Sequence, residues 1–394
     1  MSVQIQGQYY GQGKPLFLLY LKTAILTLIS LGIYRFWGKT RIRKYIWSAV
    51  SLDEDTFEYT GTGLEKLLGF LVAVVILAVY LGIIQMALLF FGLSLLKEAT
   101  TQAEQLAQLG TIYLTFFAVM PLLLFAQYRA RRYKLSRTRW RGLRFGMENG
   151  AWGYVLRALW YYFLSMITLG ILMPLSTFKL EKYMVDRTWY GNVKFHQSGR
   201  WQNLYGGFRH VFISLGIIVA STVLLTVQAP PLLGFIVFFV GYTWFLIGLV
   251  YYRVFAFNYL TGKKVLDEKV LFLSEARTGT VVKIAIIGSI VIGLLFAVIA
   301  GVVSGIAYQM RDALIGLENI AVGPLIISGV LYIAVIMITG GLNLVMIIQP
   351  IIGHVVNHVT VDGAEYLSAI QQRAGDDGAD AEGFADALDI GGAI

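Results

Sequence analysis

Residues Ser30–Gly63, SLGIYRFWGKTRIRKYIWSAVSLDEDTFEYTGTG, pass from an apolar turn into a basic, aromatic-studded segment. An acidic loop and a short strand-like run closed by glycines follow. The pattern returns 138 residues later. Leu169-Gly170-Ile171 matches Leu31-Gly32-Ile33, and at the same offset Lys44-Tyr45 meets Lys182-Tyr183, Phe57 meets Phe195, Gly61 meets Gly199 and Gly69-Phe70 meets Gly207-Phe208. Glycines and aromatics that keep register over this distance read as an internal duplication.

Composition sets the solvent. The 394 residues are 57% hydrophobic and 14% charged, with a mean hydropathy of +0.68, whereas soluble domains carry about 25% charge. The apolar residues fall in runs without a charged side chain: 67–96, 106–128, 211–252, 284–310 and 319–353. A bilayer core of roughly 30 Å needs about 20 apolar residues at about 1.5 Å each. The run 211–252 fits two spans turned at Pro230-Pro231, and the others fit one each. The expected fold class is therefore an all-α polytopic membrane protein with six transmembrane helices. Two shorter apolar helices, 16–30 and 154–168, are re-entrant, interfacial or spanning, and small cytoplasmic β-hairpin-like modules flank them.

The expected organisation is a first module at 1–66, a transmembrane hairpin at 67–128, a second module at 129–208 and a second hairpin at 209–252. A degenerate third copy with two spans covers 253–363, and an acidic tail covers 364–394. Strands are expected near 3–10, 57–61, 143–147, 193–198 and 270–273. If the strands of each module pair, both ends of its helical hairpin lie on one side of the membrane. The tail could form a short amphipathic helix at 384–390.

Absence of cysteine rules out disulfides and thiolate metal sites. The first residues lack the basic-then-apolar pattern of a cleaved signal peptide. From Asp362 onward there are eight acidic residues against Arg373 alone, which leaves 31 basic against 15 acidic, or +16, on the remainder. In a membrane protein such an excess reads as cytoplasmic loops facing anionic headgroups, with no nucleic-acid partner. The basic segments 35–44, 129–144, 179–209 and 253–269 fall on one side if the two short helices do not cross. Both termini are then cytoplasmic. If both cross, the two copies are inverted, the plan of many secondary transporters.

Candidate site residues follow from this charge. The basic-aromatic helices carry Arg35, Trp37, Lys39, Arg41, Arg43, Lys44 and Tyr45, and in the second copy Lys179, Lys182 and Tyr183. Such a surface grips lipid phosphates or an anionic substrate, or it is the positive-inside flank and aromatic belt that membrane proteins carry in general. Lys22 and Arg157 stand inside apolar helices, where an ionisable group marks a functional position unless it snorkels to the interface. Tyr59-Thr60-Gly61-Thr62-Gly63 lacks the lysine of a phosphate-binding loop and the third glycine of a dinucleotide fingerprint. His354 and His358, spaced i, i+4, are an incomplete metal set. No catalytic set is visible, so no enzyme activity, cofactor or metal is expected.

Ser30-Leu31-Gly32-Ile33, the Trp37…Lys39…Arg41…Arg43…Tyr45 helix, Phe57-Glu58-Tyr59-Thr60-Gly61-Thr62-Gly63 and the tail Ala385–Gly391 resemble the bacterial inner-membrane YjgN-like family, a domain family of unknown function. That family keeps a basic third copy, whereas residues 353–360 here carry no Arg or Lys. The resemblance implies a bacterial inner-membrane location and supplies no activity. The expectation is a protein that transports or binds an amphiphilic or anionic substrate, in contact with anionic lipid headgroups and open to homo-oligomerisation. The alternative is a membrane scaffold with cytoplasmic docking modules.

Overall fold

Strands and helices alternate along the whole chain. The computed structural model describes residues 3–95, 100–227, 230–309 and 322–373. The strands are β1 (Gln4–Tyr9), β2 (Val50–Leu52), β3 (Asp55–Thr56), β4 (Glu58–Tyr59), β5 (Thr138–Trp140) and β6 (Leu143–Met147). They continue with β7 (Thr188–Tyr190), β8 (Val193–Gln197), β9 (Lys264–Leu266), β10 (Val270–Ser274) and β11 (Val359–Asp362). All pair antiparallel in one sheet of order β3-β2-β1-β11-β10-β9-β8-β7-β6-β5-β4. The two ends of that order, β3 and β4, are separated by Phe57 alone, whose N–H returns to the Val50 carbonyl at 3.0 Å. The sheet thus closes almost completely on itself, which leaves little free strand edge.

This sheet corrects the all-α expectation. It also corrects the expected modules. The strand at 4–9 pairs with 50–52 and with 359–362, while 58–59 pairs with 138–139. Neither expected pair, 3–10 with 57–61 or 143–147 with 193–198, forms directly, and the chain is organised as one ring rather than as repeated units. Five of the strands the sequence does not announce, 50–52, 138–140, 188–190, 264–266 and 359–362, are three or four residues long and start within three residues of a helix end. They are too short for an alternation to register, although VSL, TRW, TWY, KVL and VTVD favour the extended state by their β-branched and aromatic residues.

Five helical excursions leave one rim of this barrel and return to it. The first is α1 (Gly13–Ile29) with α2 (Arg35–Ser48), and the second α3 (Gly63–Phe90) with α4 (Gln102–Ser136). Next come α5 (Ala151–Ile167) with α6 (Met173–Val185), and α7 (Arg209–Thr226) with α8 (Pro231–Thr261). The last is α9 (Thr278–Gln309) with α10 (Val322–Asn343), which runs through a π-helical turn into α11 (Gln349–Val356). Tight turns join the strands on the opposite rim. Asp53-Glu54, Arg141-Gly142 and Asp267-Glu268 all take positive φ, the geometry whose twist matches a two-residue hairpin. From there Leu367 and Ile370 pack into the barrel core, and Gln371 and Gln372 bond Asn192 and the Arg144 N–H. The core itself is aromatic: Phe145 lies 4.7 Å from Tyr190 and 6.3 Å from Phe57, and Phe195 lies 5.8 Å from Phe272.

Among the described residues, six helices are long and apolar enough to cross a membrane: 63–90, 102–136, 209–226, 231–261, 278–305 and 329–356. Thr62/Glu65 and Thr101/Glu104 form capping boxes at the starts of α3 and α4. Gly234, Gly241 and Gly248 bring α8 against Leu225, Ile217/Ile218 and the His210-Val211 backbone of α7, the close approach that small residues permit in lipid. The connector around Arg311, Asp312 and Glu318 and the tail helix expected at 384–390 lie outside the described residues.

The short hairpins behave differently. α1 has 17 residues and α5 has 17, so each reaches about 25 Å from its foot. Their partners are shorter, at 14 and 13 residues, and α2 carries five cations. Both feet stand on the barrel rim, with Tyr10 N–H on the Ala49 carbonyl at 2.8 Å and Glu148 N–H on the Arg187 carbonyl at 3.0 Å. Each pair turns at Leu31-Gly32 or Leu169-Gly170, all with positive φ, and the two tip leucines are 93% and 89% exposed. Arg129 and Arg253 on the long spans lie roughly 10–12 Å from their barrel ends, so the tips pass this cation level by about 13 Å. That is less than half of a core of about 30 Å. Both ends of each hairpin lie on the same rim, and the inverted-repeat alternative does not fit a β6 and a β7 in one sheet.

Candidate functional site

The face of α2 turned toward α1 and α10 carries cations at i, i+4 and i+8: Arg35, Lys39 and Arg43. That spacing places them in one row along the helix. Gly38 lets the helices approach, since a Cβ there would sit 3.0 Å from Thr23 of α1. On the other side Gly340 and Gly341 admit Tyr20 and Phe17. Between the three helices lies a hollow of about 390 Å³ with Arg35 and Lys39 on one wall and Leu28, Ile333, Ile336 and Met337 on the others. A second hollow of about 240 Å³ continues it toward the barrel. The two share Tyr20, Lys39 and Ile42, and the second adds Arg43, Asn343 and Ile348.

Position along α2 sets the depth. Arg35 is its first residue, next to the hairpin tip, about 20 Å from the helix's barrel end, and Lys39 is about 14 Å from it. Arg35 is exposed, its guanidinium lies 6.0 Å from the Phe36 ring, and it meets no acidic side chain among the described residues. A charge held at that depth without an acidic partner is costly in lipid, and a hollow that admits a counter-charge relieves the cost. Arg43 is fully enclosed: it donates to the Tyr59 hydroxyl at 3.0 Å and stacks 5.1 Å over that ring and 5.9 Å over Trp47.

The structure divides the other expected residues. Trp37 stacks on Tyr34 at 6.2 Å and covers Gly63, so it holds α2 to the start of α3. Arg41 is exposed and lies 5.5 Å over Tyr34; Lys44 and Lys179 are exposed away from the hollow. Tyr45 ties the hairpin foot, accepting from Gln12 N–H and donating to its carbonyl, both at 2.9 Å. Lys182 donates to the Gln197 carbonyl at 2.6 Å and pairs with Asp186 at 3.0 Å. Tyr183 is buried, donates to the Gly150 carbonyl at 2.9 Å and is sandwiched by Arg157 and Arg187 at 4.6 and 3.6 Å.

Lys22 is exposed on α1 at about the level of Lys39, and Arg157 bonds the Gly153 carbonyl at 2.9 Å near the foot of α5. Both fit snorkelling better than burial at depth, and Arg35 is the deeper charge. At the offset of 138 the positions of Arg35, Lys39 and Arg43 are filled by Met173, Thr177 and Glu181, so the second hairpin has no such row. Glu181 instead binds Arg131 of α4 through two contacts of 2.7 and 3.0 Å and Lys264 of β9 at 3.1 Å. Burial alone would raise its carboxyl, but these two cations hold it well below the usual carboxylate range. His354 and His358 lie with ring centroids 4.3 Å apart, and no group of metal-ligating side chains occurs among the described residues.

A third hollow, of about 520 Å³, sits at the barrel mouth under the ends of α2, α4 and α11. It is bounded by Ile46, Val50, Phe57, Leu135, Phe145 and Ile352, with Arg131 and Lys134 at its rim. Sequence reasoning missed α10 and α4 as contributors, because nothing local signals which distant helix lies against α2. The spacing of 35, 39 and 43 was the available signal.

Among the described residues, six membrane-capable helices and two shorter helical hairpins on one rim of a nearly closed sheet define a polytopic membrane protein with a cationic hollow beside its first hairpin. The chain belongs to the family described as bacterial protein of unknown function, DUF898, whose model matches residues 4–387. It is 26% identical over 169 residues to the inner membrane protein YjgN of Salmonella typhimurium, covering 42% of this chain and 37% of that protein. To the YjgN of Escherichia coli K12 it is 22% identical over 169 residues, 43% of this chain and 37% of that protein. The alignments thus span little more than a third of those relatives. No solved structure matches the chain.

Proposed function

We propose that this is a non-enzymatic, multi-pass inner-membrane protein that binds, and moves, an anionic amphiphile taken from the leaflet next to its barrel. The observation that carries the reading is the hollow of about 390 Å³ that presents Arg35 and Lys39 among apolar walls toward the tip of the first hairpin. Cations offer charge-assisted hydrogen bonds to a phosphate or carboxylate, and Leu28, Ile333, Ile336 and Met337 cover the first methylenes of a chain. Arg and Lys concentrate at the barrel ends of the spans, which supports a cytoplasmic barrel and cytoplasmic ends. The partners are then the bilayer and its anionic headgroups.

The test is retention of anionic against zwitterionic lipid by the full chain in nanodiscs, read by native mass spectrometry. Arg35→Leu with Lys39→Leu should lower anionic retention at least about tenfold, since a hydrogen bond to a charged group contributes about 1.5–3 kcal/mol. Lys22→Leu with Arg157→Leu should leave it within about twofold. Equal retention by all variants would sink the reading and favour a scaffold.

A further inference from the structure

The hollow at the barrel mouth is not absorbed by that reading. It begins one helical turn beyond the neck on two of the segments that line the neck: Ile42 gives way to Ile46 on α2, and Ile348 of the π-helical turn to Ile352 on α11. Its walls are almost wholly apolar. The Arg131 guanidinium at its rim is committed to Glu181, and the Thr138 hydroxyl donates to the Lys134 carbonyl and accepts from the Trp47 indole. Inside the rim cations Arg131 and Lys134 no charged group lines this space, and the volume falls in the range of about 300–1,000 Å³ that small-molecule sites take. Such a space takes hydrocarbon.

We propose that the barrel-mouth hollow is a second site that accepts the acyl chain of a single-chain anionic amphiphile whose head group rests on Lys39, the cation common to the first hollow and its neck. This rests on the reading of the first hollow as a head-group site. Charge complementarity fixes the direction: the cations lie toward the membrane and the apolar space lies toward the barrel. A chain pointing at Phe57 and Phe145 is inverted relative to its neighbours in the leaflet, so occupancy of both hollows amounts to withdrawal of the amphiphile from the bilayer. The neck of about 240 Å³ and the barrel-mouth hollow share no lining residue, so the chain passes between them at Ile46, and a neck of that volume admits a single chain.

The experiment uses the full chain in nanodiscs of phosphatidylcholine containing a long-chain fatty acid with a diazirine near its methyl end. After irradiation the adducts are mapped by peptide mass spectrometry. Adducts at Ile46–Val50, Phe57 or Leu135 are expected, and Val50→Trp or, from the opposite wall, Leu135→Trp should reduce them at least about fivefold. Adducts confined to bilayer-facing residues such as Leu31, Leu169 and Phe90 in the unsubstituted protein overturn the proposal without any variant having to fold. Barrel-mouth adducts that survive Arg35→Leu/Lys39→Leu support the chain site and overturn the head-group reading. Loss of lipid retention in that double variant, with no barrel-mouth adducts in the unsubstituted protein, does the reverse.

Discussion

Replacing Glu181 with Leu tests the clamp that ties α4, α6 and β9 together above the barrel. Its carboxylate is 19% exposed, and Arg131 and Lys264 beside it are 32% and 23% exposed. Removing the acid leaves two half-buried cations facing each other. Breaking one partner of a fully buried pair costs about 3–5 kcal/mol; partial exposure brings the figure here to about 2–3 kcal/mol. With an unfolding entropy of about 2.1 cal/mol/K per residue, a chain of 394 residues shifts by about 1.2 °C per kcal/mol, so the detergent-solubilised protein should melt about 2–4 °C lower. Glu181→Gln, which keeps acceptor and shape, should lose about half as much. Adding Arg131→Met to Glu181→Leu should recover part of the loss, because an apolar pair avoids the desolvation of the ion pair. The sign with pH follows. The folded carboxyl is held below its unfolded value of about 4.3, so its stabilisation is complete above that value. It is lost as pH falls through the depressed folded value. The difference in melting temperature between parent and Glu181→Leu should therefore be constant from neutral pH to about pH 5 and narrow below it. Melting within 1 °C of the parent at neutral pH would refute the clamp.

Other outcomes follow from the same geometry. Arg43→Met removes a buried guanidinium from Tyr59 and two aromatic faces, and should cost about 2–3 kcal/mol by thermal melting, whereas Arg35→Leu should leave the melt unchanged or raise it. Gly241→Leu should disrupt α7 against α8, because a Cβ there already meets Ile218 at 2.9 Å; proteolysis within 209–261 should accelerate. Arg141, paired at 2.5 and 2.6 Å with Asp53 and Asp55 whose side chains are about half exposed, should cost less than about 1 kcal/mol on truncation to Ala. Single cysteines at Glu54, Asn192 and Glu268, all on the turn rim, should share one accessibility to an impermeant thiol reagent in intact cells. Labelling of Asn192 alone from outside would contradict the common rim.

The sequence by itself determined the solvent, the six spans and the shortness of the two extra helices. These rest on run length and charge, which act locally: a helix of 17 residues cannot be made longer by its surroundings. The positions of the stronger strands near 3–10, 143–147, 193–198 and 270–273 were legible for the same reason. The tertiary structure decided the rest. A strand of three residues such as Val50–Leu52 is extended because β1 offers it hydrogen bonds, not because its own sequence demands it, and its partner lies some forty positions away. Likewise Arg35 and Lys39 become walls of a hollow only when α10, about 300 residues on, folds beside α2. Lys182 and Tyr183, chosen on the same residue types, are consumed by Asp186, Gln197 and Gly150. Ring closure of the sheet sets which helices are neighbours, and that depends on pairings between distant parts of the chain that no local pattern encodes.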